Sequence, residues 1–379
     1  MAASEDIAEL SAMVRQFADD QIAPHAGQWD RDKHFPVDVL KAAGELGLGG
    51  IWVAEDVGGS GLTRADGVRI FEQLATACPT VAAYISIHNM ATSMIDTAGT
   101  QEQRERWIPG LASMGQLASY CLTEAGAGSD AAALRTTARA VDDGYMLDGA
   151  KQFISGAGTS AVYVVMARTG GSGAKGVSAF VVPADAEGLS FGANEAKMGW
   201  NAQPTREVVL DGVHVPADHL LGEEGQGFAI AMRGLDGGRL NIAACSLGGA
   251  QAAFDAALAH LRTREAFGGP LIEQQSLQFA LADMATKLHA SRLMLHDAAD
   301  ALDAGAPGAS ATCAMTKRFV TDSCFEVANS ALQLFGGYGY LWEYGVEKIV
   351  RDLRVHQILE GTNEIMQVVL ARSLVKGRR

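Results

Sequence analysis

Residues 356–365 read His-Gln-Ile-Leu-Glu-Gly-Thr-Asn-Glu-Ile and place one carboxylate between apolar residues and the start of a helix. Gly361 lets the backbone turn or approach a ligand closely, and Thr362 and Asn363 are residue types that cap helices. An apolar setting disfavours the charged form of Glu360, so its pKa should rise toward the range of a general base. The same letters also fit an ordinary helix start with a solvated glutamate, so the rest of the chain must decide.

The composition is that of a globular protein, and it argues against a nucleic-acid partner. The 379 residues are 48% hydrophobic and 20% charged, which is enough chain for two or three domains with a large buried core. A formal net charge of -14 argues against a basic nucleic-acid surface. A phosphorylated small molecule stays compatible, because a few local arginines or a helix N-terminus are enough to bind it.

The cysteines and the N-terminal segment bear on metals and on the compartment. The five cysteines form no Cys-x-x-Cys pair and no zinc spacing, so we expect reduced thiols and no metal site. The N-terminal segment is acidic and amphipathic, and no uncharged apolar run reaches the roughly eighteen residues of a membrane helix. We therefore expect a soluble protein with no membrane partner, in the cytoplasm or, if a transit peptide has been removed, in the mitochondrial matrix.

The periodicity of apolar residues divides the chain into three predicted domains. Residues 1–116 and 223–379 show helical spacing, whereas residues 117–222 alternate as strands do. The long C-terminal segments favour a four-helix bundle, and the lack of strand–helix alternation argues against a Rossmann fold. The predicted fold class is therefore α+β, with an N-terminal helical domain, a central β-barrel-like domain and a C-terminal four-helix bundle.

Local patterns within these domains give sharper predictions. Strands are expected at residues 119–122, 161–166 and 177–182, with tight hairpin turns at Asp143-Gly144 and Asp211-Gly212. In the C-terminal domain, two apolar stripes predict two buried helix faces. One stripe contains Leu277, Leu281, Met284 and Leu288, and the other contains Met315, Phe319 and Val327.

Residues 123–130 form a glycine-rich loop directly after a predicted strand. They read Thr-Glu-Ala-Gly-Ala-Gly-Ser-Asp, and such small residues let backbone N–H groups approach a ring or a phosphate. Alone, the loop is weak evidence for a ligand site. With this loop and four later motifs, the sequence resembles the acyl-CoA dehydrogenase family over essentially the whole chain. The motifs follow the family order at 120–130, 149–156 (GAKQFISG), 264–268 (REAFG), 333–339 (QLFGGYG) and 360–362 (EGT).

Within that family, the chain most resembles the branch that oxidises isobutyryl thioesters. The segments with this resemblance are 153–158, 168–171, 199–206, 233–243 and 356–361. It implies FAD-dependent α,β-dehydrogenation of isobutyryl-CoA to methacrylyl-CoA in valine catabolism, with electrons passing to an electron-transfer flavoprotein. A 2-methylbutyryl-CoA or butyryl-CoA dehydrogenase is an open alternative, because a pocket distinguishes substrates that differ by one methylene by only about 1–3 kcal/mol. An acyl-CoA oxidase and a non-catalytic flavin-binding protein also stay open.

The resemblance implies that Glu360 is the catalytic base. In the family, the base removes the proton next to the thioester carbonyl, with the flavin on the other face of the acyl chain. The Glu360 backbone N–H would polarise the thioester oxygen together with a flavin hydroxyl. One branch places its base at the position of Gly238, and a glycine cannot accept a proton. We also expect Leu359, with open space at Gly237 and Gly238, to admit a short branched acyl chain.

The resemblance also assigns contacts to the cofactor and the substrate. The FAD-binding positions within one subunit are Leu122, Thr123, Ser129, Phe153, Ile154, Ser155, Thr362 and Glu364. A second set would reach the FAD of a neighbouring subunit, which implies a homotetramer: Arg264, Phe267, Gln275, Gln333 and Gly337. The acyl-CoA contacts are Ser129, Asp236, Arg239 and Gly361, although Asp236 and Arg239 also fit an ordinary surface ion pair.

Overall fold

The structure, a computed structural model, describes residues 2–376, and its N-terminal part is helical. The helices are α1 (Ala2–Phe17), α2 (Ala26–Asp32), α3 (Val37–Glu45), α4 (Arg64–Ala77), α5 (Pro79–Ala98) and α6 (Gln101–Ala112). Helix α4 begins at a capping box, in which Thr63 Oγ1 accepts from Asp66 N–H and the Asp66 carboxylate accepts from Thr63 N–H. Pro79 opens α5 at a position where its missing N–H leaves no acceptor unpaired.

The middle part is one eight-stranded mixed sheet. Its strands are β1 (Ala118–Cys121), β2 (Thr137–Val141), β3 (Gly144–Ser155), β4 (Val162–Arg168), β5 (Val177–Pro183), β6 (Leu189–Phe191), β7 (Thr205–Pro216) and β8 (Leu220–Leu221). They lie in the order β6-β7-β3-β2-β4-β5-β8, and β1 runs parallel to β4. Alternate residues of β4 face two cores: Val164 packs with residues of α5 and α6, and Val165 packs with residues of β5 and β7. Burial on both faces explains the continuous apolar run of this strand.

The three predicted strands are confirmed, but one of the two predicted hairpins is wrong. Val141 pairs with Gly144, so a tight turn does join β2 to β3. Asp211-Gly212 instead lies inside β7, where the register with β3 shifts. Gly212 has φ +61 there, and its N–H donates to Asp148 Oδ1 at 2.9 Å. The dipeptide signals a positive φ correctly, but a β-bulge uses it in place of a turn.

The C-terminal part is built from long helices around α7. The elements are α7 (Gly227–Thr263), the two-residue strands β9 (Glu265–Ala266) and β10 (Gly269–Pro270), α8 (Gln275–Asp303), α9 (Ala309–Leu334), α10 (Val346–Arg354) and α11 (Asn363–Lys376). Helices α7, α8 and α9 pack on one another, α11 packs on α9, and α4 and α5 pack against α7. The predicted α+β class with a C-terminal helical bundle is confirmed.

The two predicted apolar stripes have different outcomes. In α8, Leu281, Met284 and Leu288 are buried as expected. In α9, Val327 is buried as expected, but Met315 and Phe319 are 39% and 38% exposed, so two of the three residues of that stripe were placed on the wrong face. The buried face of α9 mixes small, polar and apolar side chains, which hides it from a count of apolar residues. It contains Cys313, Thr316, Lys317, Val320, Cys324 and Val327.

Helix α7 is the central element of the core. Among the described residues it is the one helix long and apolar enough, by composition, to cross a membrane, and 61% of that apolar window is buried inside the protein. Several glycines bring neighbouring elements close to it: a Cβ at Gly248 would lie 2.1 Å from the Glu72 carbonyl oxygen on α4. The burial is that of a core helix surrounded by protein on several sides.

Candidate active site

Glu360 lies in a strained turn between a short 3-10 turn, Val355–Gln357, and helix α11. Its φ is +56, and that of Gly361 is +87, so two successive residues adopt left-handed backbone. Such a conformation costs a residue with a side chain roughly 1–3 kcal/mol and persists only where the surroundings hold it. Thr362 Oγ1 accepts from Ile365 N–H at 3.3 Å, so the predicted cap of the following helix is confirmed.

The Glu360 carboxylate packs directly against Gly238 of α7. A Cβ at residue 238 would lie 2.6 Å from Glu360 Oε2, closer than side chains approach one another. Within the described part of the chain, this oxygen is buried and has no hydrogen-bond partner. Burial raises the pKa of Glu360 to about 7, although the positive charges of Arg239 and Lys317 act to lower it. The carboxylate is therefore poised to accept a proton near neutral pH.

The expected open space at the neighbouring glycines is not there. A Cβ at Gly237 would lie 2.6 Å from the Arg64 guanidinium, which in turn lies over the Trp52 ring at 3.9 Å. Gly238 accommodates Glu360 in the same way. These glycines therefore let two functional groups approach α7, and they do not create room for a branched acyl chain. A small cleft does lie beside them, lined in part by Arg64, Met90, Met94, Ile230 and Gly234.

Two cations contact the backbone of the strained turn. Arg239 Nε donates to Glu360 O at 3.4 Å, and Lys317 Nζ donates to Gly361 O at 2.9 Å. Arg239 is 6% exposed and pairs with Asp236, which also accepts from Ser310 Oγ at 2.9 Å. The pair is thus a buried part of the site and not a surface ion pair. Its contact with acyl-CoA stays a prediction.

The strand ends of the middle domain present the next group of predicted residues. Gln152 N–H donates to Thr123 O at 2.8 Å, which joins the end of β1 to β3. The register of β3 shifts just beyond this point, and Phe153 there has φ +60 and is 63% exposed. Leu122 and Ile154 are buried, Ser155 is half-buried, and Ser129 is exposed in the glycine-rich loop.

A buried ion pair, which the sequence analysis did not identify, supports these strand ends. Lys151 is fully buried, and its Nζ donates to Glu124 Oε1 at 2.8 Å and to Leu122 O at 3.2 Å. The Glu124 carboxylate also accepts from the N–H groups of Arg135 and Thr136. Although burial alone would raise the pKa of Glu124, these hydrogen bonds and the lysine hold it below its ordinary value. A charged residue inside an apolar strand was the available signal.

Trp200 connects the middle domain to the segment that precedes Glu360. Its backbone N–H donates to Asp352 Oδ1 at 2.7 Å, and its indole N–H donates to His356 Nε2 at 3.2 Å. Burial lowers the pKa of His356 to about 3, so the imidazole stays neutral and accepts this bond. On the sheet side, Tyr120 of β1 is close enough to Glu360 that, after burial, the carboxylate charge raises the pKa of the phenol. The predicted strand ends and the predicted base therefore lie in one region.

The remaining predicted residues form a second, distant group. Arg264 caps the end of α7 and lies 5.4 Å from the Tyr338 ring, next to Gly337. Phe267 is at the tip of the β9–β10 turn with φ +55 and is 92% exposed. Gln275 opens α8 and Gln333 lies near the end of α9. Arg264 follows Gly238 by 26 positions at the end of α7, or about 39 Å along the helix, so one chain does not bring these two residues together.

The first group fits a flavin. Phe153 offers an exposed aromatic face on a bulge that the sheet holds in place. The small residues 125–128 follow Thr123, whose carbonyl accepts from the N–H of Gln152, the residue before Phe153. Thr362 and Glu364 lie at the N-terminus of α11, where helix N–H groups face outward.

Comparison with known proteins gives one consistent family. Residues 4–115, 119–213 and 225–375 match the N-terminal, middle and C-terminal domains described for acyl-CoA dehydrogenases. The chain is 53% identical to isobutyryl-CoA dehydrogenase, mitochondrial, of Dictyostelium discoideum, over 98% of this chain and 90% of that protein. It is 52% identical to the Bos taurus protein of the same name, over 99% and 90%.

Solved structures agree with these relatives. Butyryl-CoA dehydrogenase from Megasphaera elsdenii superposes with a TM-score of 0.94 at 35% identity, over 97% of this chain and 98% of that one. PigA, solved as an FAD complex, superposes with a TM-score of 0.94 at 27% identity, over 98% of each chain.

Proposed function

The chain belongs to the acyl-CoA dehydrogenase family, and we propose that it oxidises isobutyryl-CoA to methacrylyl-CoA, a step of valine catabolism. The observation that supports a dehydrogenase most directly is Glu360 Oε2, which packs against Gly238 and, within the described residues, is buried without a hydrogen-bond partner. A non-catalytic flavin protein would have no need of a carboxylate whose pKa burial raises to about 7.

Glu360 takes the proton from the carbon next to the thioester carbonyl. Its raised pKa makes the carboxylate basic enough at neutral pH to share this proton in the transition state. The backbone N–H of Glu360 donates to the thioester oxygen, where negative charge develops as the proton leaves. The strained turn fixes the direction of this N–H relative to the carboxylate, because both belong to one residue.

FAD is the proposed cofactor, and when bound it supplies the acceptor for the hydride from the β-carbon. Phe153, Ile154 and Ser155 would contact its ring, with Leu122 and Thr123 at the adjoining strand end. With the flavin as hydride acceptor, removal of the α-proton by Glu360 would leave the α,β double bond.

The substrate proposal rests on the two relatives, which share about half of their residues with this chain over almost its full length. A hydrophobic pocket discriminates between substrates that differ by one methylene by only about 1–3 kcal/mol. We therefore expect 2-methylbutyryl-CoA and butyryl-CoA to be poorer substrates. Ser129, Asp236, Arg239 and Gly361 would contact the CoA thioester.

The distant group of residues supports a homotetramer with shared FAD sites. Arg264 lies about 39 Å from Gly238 along α7. It is exposed, as are Phe267, Gln275, Gln333 and Gly337. Exposed aromatic residues follow Gly337 in the chain, including Tyr340 and Trp342 at 82% and 65%. Such an apolar surface is typical of an interface, and a guanidinium suits a pyrophosphate across it.

The electron acceptor and the compartment follow the family and the relatives. We propose that an electron-transfer flavoprotein reoxidises the enzyme. Both relatives are mitochondrial by name, so the mitochondrial matrix or, in a bacterium, the cytoplasm is the proposed compartment.

An anaerobic substrate panel tests the proposal. The purified protein should show a flavin spectrum, and isobutyryl-CoA should bleach it faster than butyryl-, 2-methylbutyryl- or isovaleryl-CoA. Faster bleaching by another thioester would show that isobutyryl-CoA is not the preferred substrate, but the protein would still be a dehydrogenase. No bleaching by any thioester would overturn the activity, and rapid oxygen consumption by the reduced protein would indicate an oxidase.

A further inference from the structure

Lys317 is a buried cation that points at the turn containing Glu360. It lies on the inner face of α9 with no exposed surface. Its Nζ donates to Gly361 O and to Asn363 Oδ1, both at 2.9 Å. The Asn363 amide donates onward to Asp322 Oδ1 at 2.7 Å and to Thr321 Oγ1 at 3.0 Å. The ammonium group is thus fixed between a backbone carbonyl and a side chain that is itself fixed.

These contacts fall where the backbone is most strained. Glu360 and Gly361 both have positive φ, and the carbonyl of each accepts a hydrogen bond from a cation, Arg239 in the first case and Lys317 in the second. A strained conformation needs such restraints, because relaxation would turn the peptide groups and the side chain together. Without Lys317, the Gly361 carbonyl would lose its donor and the turn one of its two restraints.

The same ammonium acts on the Glu360 carboxylate through its charge. Burial raises the pKa of Glu360, and Arg239 and Lys317 oppose that rise. Burial lowers the pKa of Lys317 to about 8, and the Glu360 charge is the main influence that opposes this shift. The charged and titratable groups that face Lys317 are Glu360, Arg239 on α7, Asp322 on its own helix, Glu364 on α11 and the neutral His356.

We propose that Lys317 is a positioning residue for the dehydrogenation: its ammonium group holds the Glu360–Gly361 turn in its strained form and favours the ionised form of the base. The inference rests on the proposed function, in which Glu360 must be deprotonated to act. Lys317 acts through Glu360 and through the backbone N–H at the thioester oxygen. Its loss should therefore lower kcat and shift the pH dependence, with a smaller effect on KM.

The test is the pH dependence of flavin reduction by isobutyryl-CoA in Lys317→Gln and Lys317→Met. Glutamine keeps hydrogen-bond donors without the charge, and methionine fills the space without a polar group, which buried sites often tolerate. The rate rises with pH as Glu360 deprotonates, and loss of a nearby positive charge moves the midpoint upward by roughly 1 pH unit. At one unit below the wild-type midpoint, both variants should be about tenfold slower.

Lys287→Gln is the matched control, because Lys287 is an exposed lysine of α8 paired with Glu326. It removes the same charge from the protein and should leave the midpoint unchanged. Midpoints of both Lys317 variants equal to that of the wild type would overturn the inference.

Infrared titration of the Glu360 carboxyl band gives a readout without turnover, with the band assigned by its absence in Glu360→Gln. The band should titrate at higher pH in the Lys317 variants than in the wild type, and equal midpoints would again overturn the inference. If no thioester reduced the wild-type flavin, the proposed function would fail, and this measurement would still decide the role of Lys317.

Discussion

Glu360 combines features that protein interiors usually avoid: a left-handed backbone, a carboxylate with a raised pKa and, among the described residues, a buried oxygen, Oε2, without a hydrogen-bond partner. Each of these costs stability, and together they make sense only where a reaction uses them. Gly238 on α7 permits the arrangement, because any side chain there would displace Oε2. A residue under such strain should show a trade-off between stability and activity.

The first prediction is that Glu360→Gln stabilises the folded protein above neutral pH. The pKa of Glu360 is raised from 4.5 to about 7 in the folded state, so folding favours the protonated form. This favourable contribution is complete below about pH 4.5 and is lost as the pH rises through 7. The variant should therefore be more stable by about 1–3 kcal/mol at pH 8 and nearly equal to the wild type at pH 4.5.

Denaturant unfolding of the flavin-loaded protein at the two pH values measures this difference. Equal stabilities of the variant and the wild type at pH 8 would show that folding does not raise the pKa of Glu360.

The second prediction concerns Gly238→Ala. The added methyl group would lie 2.6 Å from Glu360 Oε2, so the carboxylate must move away from its position. We expect kcat for isobutyryl-CoA to fall at least tenfold, which corresponds to about 1.4 kcal/mol, while FAD stays bound. Gly27→Ala in α2 is the control, because its Cβ would meet only the Arg31 side chain, at an ordinary 3.5 Å. Unchanged kcat in Gly238→Ala would show that the close packing of Glu360 against Gly238 is not needed for the reaction.

At the scale of elements, the strand end of β3 depends on the buried pair of Glu124 and Lys151. The third prediction is that Lys151→Met destabilises the protein by about 3–5 kcal/mol and weakens FAD retention, because Glu124 would stay buried without its partner. Unfolding curves and the flavin content of the purified protein measure the two effects. The double variant with Glu124→Gln should lose less than the sum of the single changes. Additive losses would mean that the two side chains act independently.

Helix α9 shows what the sequence could and could not predict about an element. Its position follows from helical spacing, but its buried face was predicted from Met315, Phe319 and Val327, and the first two are exposed. The face that packs inward includes Thr316 and Lys317, whose burial depends on partners far away in the chain, such as Asn363. A polar residue is inward only if such partners exist, and periodicity contains no information about them. For the same reason, a role for Glu360 could be proposed from its motif, whereas nothing in the sequence pointed to Lys317.

At the scale of the whole molecule, the three-part organisation and the α+β class were predictable, because long helices and strands leave a regular spacing of apolar residues in the sequence. Local geometry was less so: Asp211-Gly212 forms a bulge within β7, and Gly237 and Gly238 are filled by Arg64 and Glu360. In each case a partner from another part of the chain decides how a glycine is used. The same holds for the two groups of site residues, which a resemblance assigns to one cofactor although they lie far apart along α7.

The fourth prediction follows from that separation. Glu360→Gln alone and Arg264→Ala alone should both be inactive, the first without a base and the second with poor FAD retention. In a mixed oligomer, an Arg264→Ala subunit contributes Glu360 and its Glu360→Gln neighbour contributes Arg264, so one intact site forms at their interface. Co-expression of the two variants with different tags, followed by purification on both tags, should recover flavin reduction by isobutyryl-CoA. A mixed oligomer as inactive as its parents would place both residues in sites within single subunits.

The most direct test of the account compares anaerobic flavin reduction by isobutyryl-CoA in the wild type and in Glu360→Gln, at equal FAD content and saturating thioester. Rapid bleaching is expected in the wild type and a loss of at least about a hundredfold in the variant, since removal of a general base typically costs about 10²–10⁴-fold. Bleaching of the variant at the wild-type rate would contradict the account, because the proton would then go to a group other than Glu360.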